Sequence, residues 1–210
     1  TQGSIWDYDG LNELYSWGRN SQGWLGVNDL TNRSSPTQVP GTWIGHFSTG
    51  SSASNAIFYV GKETEGTLWS WGANPWGILG HNTAAPSLDA LSSPTQVGGD
   101  TNWAQACSAT SAFGVKTDGT LWGWGFSDNG STGSSRTGRS SPTQIPGTIW
   151  RTTDYSVCAG DQNGWALRTD GTLWSWGRND NGSLGHNNNT SSNYPLQVPG
   201  TTWDKLADGA

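Results

Sequence analysis

Side chains that could perform chemistry are few in this sequence. The three histidines are His46, His81 and His186, and the two cysteines are Cys107 and Cys158. A protein metal centre needs three or four ligands in one place, and the three histidines, which fall in different repeats, are too few for a metal cluster. His81 and His186 hold the third position of the same motif, LGHN, in two different repeats. We therefore expect each to lie in a loop or at a sheet edge. The sequence therefore predicts no metal centre.

Two polar segments contain carboxylates that could suggest a calcium loop, NDNGS from Asn179 and SDNGS from Ser127. Both lack the regularly spaced carboxylates and the closing glutamate of such a loop. Turn formation accounts for their Asn, Asp and Gly residues. The sequence also has no G-x-S-x-G nucleophile motif, no phosphate-binding loop and no acid–base pair. We therefore predict neither catalysis nor a cofactor.

The 15 tryptophans carry the main regularity of the chain. The motif LYSWG, LWSWG or LWGWG occurs four times, and its second aromatic residues are spaced 54, 53 and 52 residues apart. These residues are Trp17, Trp71, Trp124 and Trp176. A glycine-rich turn, a proline motif of the type SSPTQV and a lone tryptophan follow in every copy; the lone tryptophans are Trp43, Trp103, Trp150 and Trp203. A fixed period near 50 residues indicates a repeat array or a propeller.

Each copy has the signals of several short strands. The TDGT segments at 117–120 and 169–172 are typical of tight hairpins, and the segments on both sides of them have strand-like patterns. The proline motif predicts an edge strand, since proline has no N–H for a central ladder. The lone tryptophan would lie on a fourth strand. We therefore predict an all-β β-propeller of four repeats of about 53 residues, each a four-stranded blade.

The tryptophan doublet is expected to act as a wedge between neighbouring blades, because successive residues of a strand face opposite sides. The small Ser175 or Gly123 would leave room for the neighbour's wedge. All eight tryptophans of the shared motifs are expected in the blade core. Cys107 and Cys158 occupy nearly the same position in adjacent blades, which leaves a disulfide open and favours two buried thiols.

Residues 1–210 are expected to form a single repeat array that begins and ends within a repeat, and the chain contains no Met. We expect it to belong to a larger ring, or to have its open ends covered by a neighbouring chain, because exposed apolar blade faces are unfavourable. The rival is a closed four-bladed ring, in which residues around Ile5–Tyr8 would pair with Lys205–Ala207.

Trp24 and Trp76 differ from the other tryptophans because they lie within the glycine-rich turns. We predict that both are exposed contact residues. Exposed aromatic rings in loops could bind a protein partner, and they could also stack on a sugar, so glycan recognition is kept as an alternative.

Composition narrows the classes of partner. The net charge is −6, and only 12% of the residues are charged, which argues against nucleic acid and anionic membranes as partners. No apolar run approaches the roughly 18 residues of a membrane span. The high content of Ser, Thr, Asn and Gly is typical of rigid β-proteins on virion or extracellular surfaces. These features predict a non-catalytic interaction scaffold in such a location, comparable to tail-fibre, decoration or adhesin proteins.

The segment DGTLWSWGRNDNGSLG (170–185), followed by PLQV (195–198), resembles the regulator of chromosome condensation repeat in its bacterial and viral style. The resemblance covers nearly the whole chain in four copies. It implies a β-propeller, commonly of seven four-stranded blades, that works as a binding module. Members include a chromatin-bound exchange factor for a small GTPase. This chain lacks that factor's protruding hairpin and basic tails, so nucleotide exchange is the less favoured alternative. The third copy also departs from the pattern, with Thr132 in place of leucine.

Overall fold

The computed structural model describes residues 4–8, 12–49, 56–62, 66–83, 90–153 and 155–207. These residues form an all-β structure of four antiparallel sheets in chain order. The first sheet contains β1 (Ser4–Tyr8), β2 (Glu13–Gly18) and β3 (Arg33–Val39), and the second β4 (Trp43–Thr49), β5 (Ala56–Lys62), β6 (Leu68–Gly72) and β7 (Leu91–Gln96). The third contains β8 (Trp103–Ser108), β9 (Ser111–Lys116), β10 (Leu121–Gly125) and β11 (Arg139–Ile145), and the fourth β12 (Val157–Gly160), β13 (Asn163–Leu167), β14 (Leu173–Gly177) and β15 (Ser192–Gln197).

The proline strands lie at the sheet edges, as the sequence predicts. The strands β3, β7, β11 and β15 each stand at one end of their sheet, beside the strand of the tryptophan doublet. Proline cannot donate to a further neighbouring strand, so each of these strands ends its sheet. The hairpin prediction is also confirmed: the TDGT turns at 117–120 and 169–172 join β9 to β10 and β13 to β14.

The strand of the lone tryptophan corrects one prediction. It does not complete the sheet of its own copy, because the proline strand before it ends that sheet. Instead β4 pairs with β5 and β8 pairs with β9, so that Trp43 opposes Lys62 and Trp103 opposes Lys116. Trp43 and Trp103 therefore begin the next blade, and Trp150 forms an isolated bridge to Arg168 of the fourth blade. Among the described residues, the first sheet has three strands and the others have four.

The apolar core lies between the sheets. Trp71 packs on Leu14 and Val39 of the first sheet. Trp124 packs on Leu68 and Leu79 of the second sheet. The cluster between the third and fourth sheets contains Phe113, Val115, Leu121, Ile145, Trp150 and Trp176. Trp71, Trp124 and Trp176 thus form the predicted wedges between blades. Trp17, which was also expected in the blade core, is only partly buried.

The two ends of the chain do not pair with each other in the described part of the structure. The strand Ser4–Tyr8 has β2 as its neighbour, and residues 205–207 belong to no strand. The Leu206 N–H donates to the carbonyl of Tyr155, at 2.9 Å. The predicted rival, a ring closed by these two segments, is not formed. Among the described residues, no helix has the length and apolar character needed to cross a membrane.

Candidate interaction surfaces

The wedge tryptophans join neighbouring copies by a repeated hydrogen bond. The indole N–H of Trp71 donates to the Trp24 carbonyl, 3.2 Å away, in the glycine loop of the preceding copy. The equivalent bonds run from Trp124 to Ile78 (2.7 Å) and from Trp176 to Ser131 (3.1 Å). All three indole rings are fully buried. Because a buried donor without a partner is costly, each bond fixes the glycine loop against the following blade.

An asparagine holds each of these loops in shape. The Asn20 side-chain oxygen accepts from the Leu25 N–H at 2.9 Å, and the same contact recurs at Asn74–Leu79 and Asn179–Leu184. In the third copy both residues change together: Ser127 replaces asparagine and Thr132 replaces leucine, and their hydroxyl oxygens lie 2.9 Å apart. The spacing Asn-x4-Leu in the sequence carries this signal, and the sequence analysis missed it.

The small residue between the doublet tryptophans has a different role from the predicted one. The Ser175 hydroxyl donates to the Leu184 carbonyl of its own copy at 2.7 Å, and Ser16 and Ser70 make the same bond. At Gly123, a Cβ atom would meet the Thr132 carbonyl oxygen at 2.3 Å. The small residue therefore accommodates its own loop and not the wedge of a neighbour.

Two histidines face these serines without forming a catalytic pair. His81 Nε2 lies 2.9 Å from the Ser70 hydroxyl, and His186 Nε2 lies 2.9 Å from that of Ser175. Because each serine proton is donated to a leucine carbonyl, the imidazole N–H donates to the serine and cannot act as its base. Burial lowers the pKa of His81, which favours the neutral ring. Within the described residues no group of three His, Cys, Asp or Glu could hold a metal ion.

A cation lies between two tryptophans in the third and fourth blades. Lys116 Nζ is 4.1 Å from the Trp122 ring centre and 4.9 Å from that of Trp103. The Arg168 guanidinium is 3.7 Å from the centre of Trp174 and 4.8 Å from that of Trp150. Cation–π contacts of this kind stabilise a partly buried charge. In the sequence these cations can be recognised by their position, because Lys116 and Arg168 each directly precede a TDGT turn.

The TDGT turn forms hydrogen bonds with one tryptophan of each cation–π group. The Trp122 indole N–H donates to the Thr120 hydroxyl, which donates to the Asp118 carboxylate at 2.6 Å. The hydrogen bonds from Thr120 lower the pKa of Asp118. The fourth copy repeats this chain of bonds with Trp174, Thr172 and Asp170.

The two turn tryptophans have opposite environments. Trp24, predicted to be exposed, is only 6% exposed, and this prediction is wrong. Trp24 holds the loop position whose carbonyl accepts from the wedge tryptophan, which Ile78 and Ser131 hold in the next two copies. The Arg19 guanidinium lies 5.2 Å from its ring centre.

Trp76 occupies an outward position of the next loop and is 50% exposed. Its ring centre lies 5.1 Å from that of Phe126 in the third copy. Its backbone has φ 59° and ψ 21°, a left-handed conformation that non-glycine residues adopt at a cost of about 1–2 kcal/mol. Pro75 precedes it, and Gly77 lies against Ser140 of the third sheet, where a Cβ atom would come within 2.5 Å. Trp76 and Phe126 therefore form an aromatic surface held on a fixed loop, here called the aromatic surface.

Trp203 also departs from the sequence prediction. Trp43, Trp103 and Trp150 are at most 2% exposed, whereas Trp203 is 40% exposed. The first three lie beside the tryptophans of the following copy, and no further copy of the motif follows Trp203 in this sequence. Cys107 and Cys158 are buried and form no disulfide.

Comparison with known proteins adds a family and a fold. Residues 12–57, 65–112 and 170–204 match the family described as Regulator of chromosome condensation (RCC1) repeat, and residues 155–183 match a second model of that repeat. The chain is 32% identical to the human E3 ubiquitin-protein ligase HERC2 over 94% of its own length, which is 4% of HERC2. It is 30% identical to the ultraviolet-B receptor UVR8 of Arabidopsis thaliana over 91% of its length, which is 43% of UVR8.

Two solved structures show the same fold. Human WBSCR16 superposes with a TM-score of 0.76 at 22% identity, covering 96% of this chain and 52% of that protein. Prp20p of Saccharomyces cerevisiae, which binds Gsp1p and histones, has a TM-score of 0.72 at 19% identity, covering 90% of this chain and 47% of Prp20p. The chain thus spans about half of these structures and less than half of the two relatives.

Proposed function

Because this chain belongs to the RCC1 repeat family, we propose that it is a non-catalytic scaffold that binds a protein segment through the aromatic surface of Trp76 and Phe126. Relatives with these repeats include HERC2, UVR8 and Prp20p, which supports an interaction propeller as the general role. The match to HERC2 covers 4% of that protein, so its ligase activity is not transferred here. A location on a virion or extracellular surface remains a proposal from composition.

The observation that carries the proposal is the half-exposed Trp76 in a left-handed backbone conformation. Strained residues persist where the surrounding structure fixes them, and they concentrate at functional sites. A rigid tryptophan loses little conformational entropy on binding, and tryptophan is enriched among residues that dominate binding energy. The surrounding loop is fixed by Asn74, which accepts from the Leu79 N–H, so the ring is presented without rearrangement.

The partner is expected to be a neutral or mildly basic extended segment with an apolar side chain. The net charge of −6 disfavours acidic partners, and Phe126 beside Trp76 provides an apolar contact. A sugar ring could stack on Trp76 by the same exposure, so glycan recognition is the second arm of the test.

A peptide library displayed on phage and a glycan array would be screened against the wild-type protein and Trp76→Ser. We expect peptides with aromatic or aliphatic side chains to be enriched by the wild type, and Trp76→Ser to weaken them at least about tenfold, which is roughly 1.4 kcal/mol. Tyr194→Ser is the matched control, since Tyr194 is 56% exposed on β15. Equal loss in both variants, or enrichment of glycans alone, would reject protein binding at this surface.

A further inference from the structure

The two stacked cations of the third and fourth blades differ in their carboxylate partners. Lys116 and Arg168 hold equivalent positions, each directly before a TDGT turn. Lys116 Nζ forms an ion pair with Asp100 Oδ2 at 2.9 Å. Among the described residues, no carboxylate forms an ion pair with Arg168. The fourth blade therefore holds a stacked cation whose charge no direct partner neutralises.

The difference follows from one connection between strands. Asp100 lies in the connection from β7 to β8, where Trp103 follows Val97 by six positions. In the next copy Trp150 follows Ile145 by five positions, and this shorter connection contains no acidic residue. The third blade thus supplies its own carboxylate to the stacked cation, and the fourth blade does not.

The carboxylate of the fourth TDGT turn does not take the place of Asp100. Asp170 accepts from the Thr172 N–H at 3.0 Å and from the Thr172 hydroxyl at 2.6 Å, and these bonds hold it within its own turn. Burial lowers the pKa of Arg168, and the charge of Asp170 opposes this shift only in part. Because arginine stays protonated in proteins, the fourth blade keeps a positive charge that an external anion can neutralise.

A second donor lies beside the Arg168 guanidinium. An added Cβ at Gly147 would lie 3.2 Å from Trp150 Nε1 and 3.6 Å from Arg168 Nη2. The Trp150 ring is fully buried, and its indole N–H has no acceptor among the described residues. Trp103 Nε1 of the third blade also lacks an acceptor, so the unpaired cation, and not the indole, distinguishes the two blades. Because Gly147 has no side chain, both donors lie beside the same small space.

The position of Arg168 is fixed and open to solvent. Its guanidinium is held between the rings of Trp150 and Trp174, and the residue as a whole is partly exposed. Ile149 borders it, because the Ile149 carbonyl accepts from the N–H of Thr169, the residue after Arg168, at 3.0 Å. Ile149 is 46% exposed. An apolar group next to the bound anion would therefore have a contact.

The neighbours of the third and fourth turns are alike. An added Cβ at Gly119 would meet the carbonyl oxygen of Thr148, and one at Gly171 would meet that of Thr201. Both turns also accept from the N–H of a lone tryptophan, through the carbonyls of the same two glycines. The difference between Lys116 and Arg168 therefore arises from the missing carboxylate and not from a missing neighbour at the turn.

We propose that Arg168 and the indole N–H of Trp150 bind a carboxylate group, in the role that Asp100 has beside Lys116. A guanidinium offers parallel N–H donors to the two oxygens of a carboxylate, and stacking on aromatic rings is favourable for arginine. The protein charge of −6 favours a ligand with one negative charge over a polyanion. The site precedes the tryptophan-doublet strand, whereas the aromatic surface follows the other end of such strands, so the two sites are separate.

The test follows the indole N–H signals of the isotope-labelled protein by NMR. Sodium acetate is the probe, and sodium chloride at the same ionic strength is the control. We expect acetate, and not chloride, to shift the Trp150 indole signal with saturation; Trp150→Phe identifies that signal. Arg168→Gln should weaken acetate binding at least about tenfold, because it removes a charged hydrogen-bond donor.

A loop exchange separates lost binding from lost folding. Replacing residues 146–149 by the sequence Gly-Gly-Asp-Thr-Asn of residues 98–102 gives the fourth blade its own carboxylate. We expect this variant to keep at least the wild-type urea midpoint and to bind no acetate. The matched control carries Asn in place of that Asp and should still bind. In the third blade, Asp100→Asn should create a second acetate site that shifts the Trp103 indole signal.

Three peptides identify the source of the carboxylate: one ending in leucine with a free carboxyl terminus, the same peptide amidated, and an amidated peptide with one glutamate. Tighter binding than acetate by the first indicates a protein terminus, and by the third an acidic side chain. If neither exceeds acetate, the ligand is a small carboxylate. An acetate shift no larger than that of chloride would overturn the proposal, as would equal binding by the wild type and Arg168→Gln or by the two loop exchanges.

Discussion

The third and fourth blades are built from nearly the same sequence motifs but differ in what covers them. The third is packed on both faces: Trp124 contacts the second sheet and Phe113 contacts the fourth. The fourth is packed on one face, and its equivalent of Phe113, Trp165, is partly exposed. Each blade motif therefore supplies a wedge tryptophan on one face of its sheet and, on the other face, the surface that receives the wedge of the next blade. The burial of a given tryptophan therefore depends on whether a following copy is present.

The largest expected difference concerns the tryptophans themselves. Trp124→Ala removes a fully buried ring and should cost about 3–5 kcal/mol of unfolding free energy. Trp203→Ala removes a ring that is 40% exposed and should cost roughly 1 kcal/mol. Urea unfolding of both variants, followed by circular dichroism, measures the two values. Similar costs would show that Trp203 is packed as tightly as Trp124.

A second difference concerns the small residue between the doublet tryptophans. Gly123→Ser makes the third blade like the fourth, yet its Cβ would meet the Thr132 carbonyl at 2.3 Å. We expect a loss of about 1–3 kcal/mol from overpacking. The reciprocal change, Ser175→Gly, removes the hydrogen bonds of that hydroxyl with Leu184 and His186 and should cost about 1–3 kcal/mol.

The matched control combines Gly123→Ser with Ser127→Asn and Thr132→Leu, which installs the loop residues of the other copies. This variant should recover most of the stability lost by Gly123→Ser. If the single change is neutral, the third loop does not lie as close to β10 as the structure shows.

The repeat, the hairpins and the proline edge strands could be predicted because each depends on local chemistry. A tight turn needs Asp-Gly, and an edge strand tolerates Pro94 or Pro142. The pairing of Trp103 with the following sheet could not be derived locally, since it depends on which strand stands beside β9. Trp24 was assigned wrongly because both turn tryptophans were treated alike. Their positions relative to the loop asparagine distinguish them: Trp24 lies four residues after Asn20, whereas Trp76 lies two residues after Asn74.

The smallest expected effect is a pH dependence of the unfolding free energy, which arises in a loop that the third sheet covers. Asn82, next to His81, donates its N–H to the Ser140 carbonyl at 2.7 Å, and burial lowers the pKa of His81 below its usual 6.5. The unfolded chain therefore binds a proton more readily than the folded one, so stability is full above pH 6.5 and falls as the pH drops through the folded pKa. His81→Val should remove this pH dependence of stability. The hydrogen bond from Ser70 to Leu79 should remain in this variant. The first copy is the precedent, because it has Val27 at the position of His81 and its Ser16 still donates to Leu25. Urea midpoints of both proteins at pH 7.5 and at pH 5 are the measurement. If the two proteins lose stability equally on acidification, the effect arises from the carboxylates and not from this covered loop.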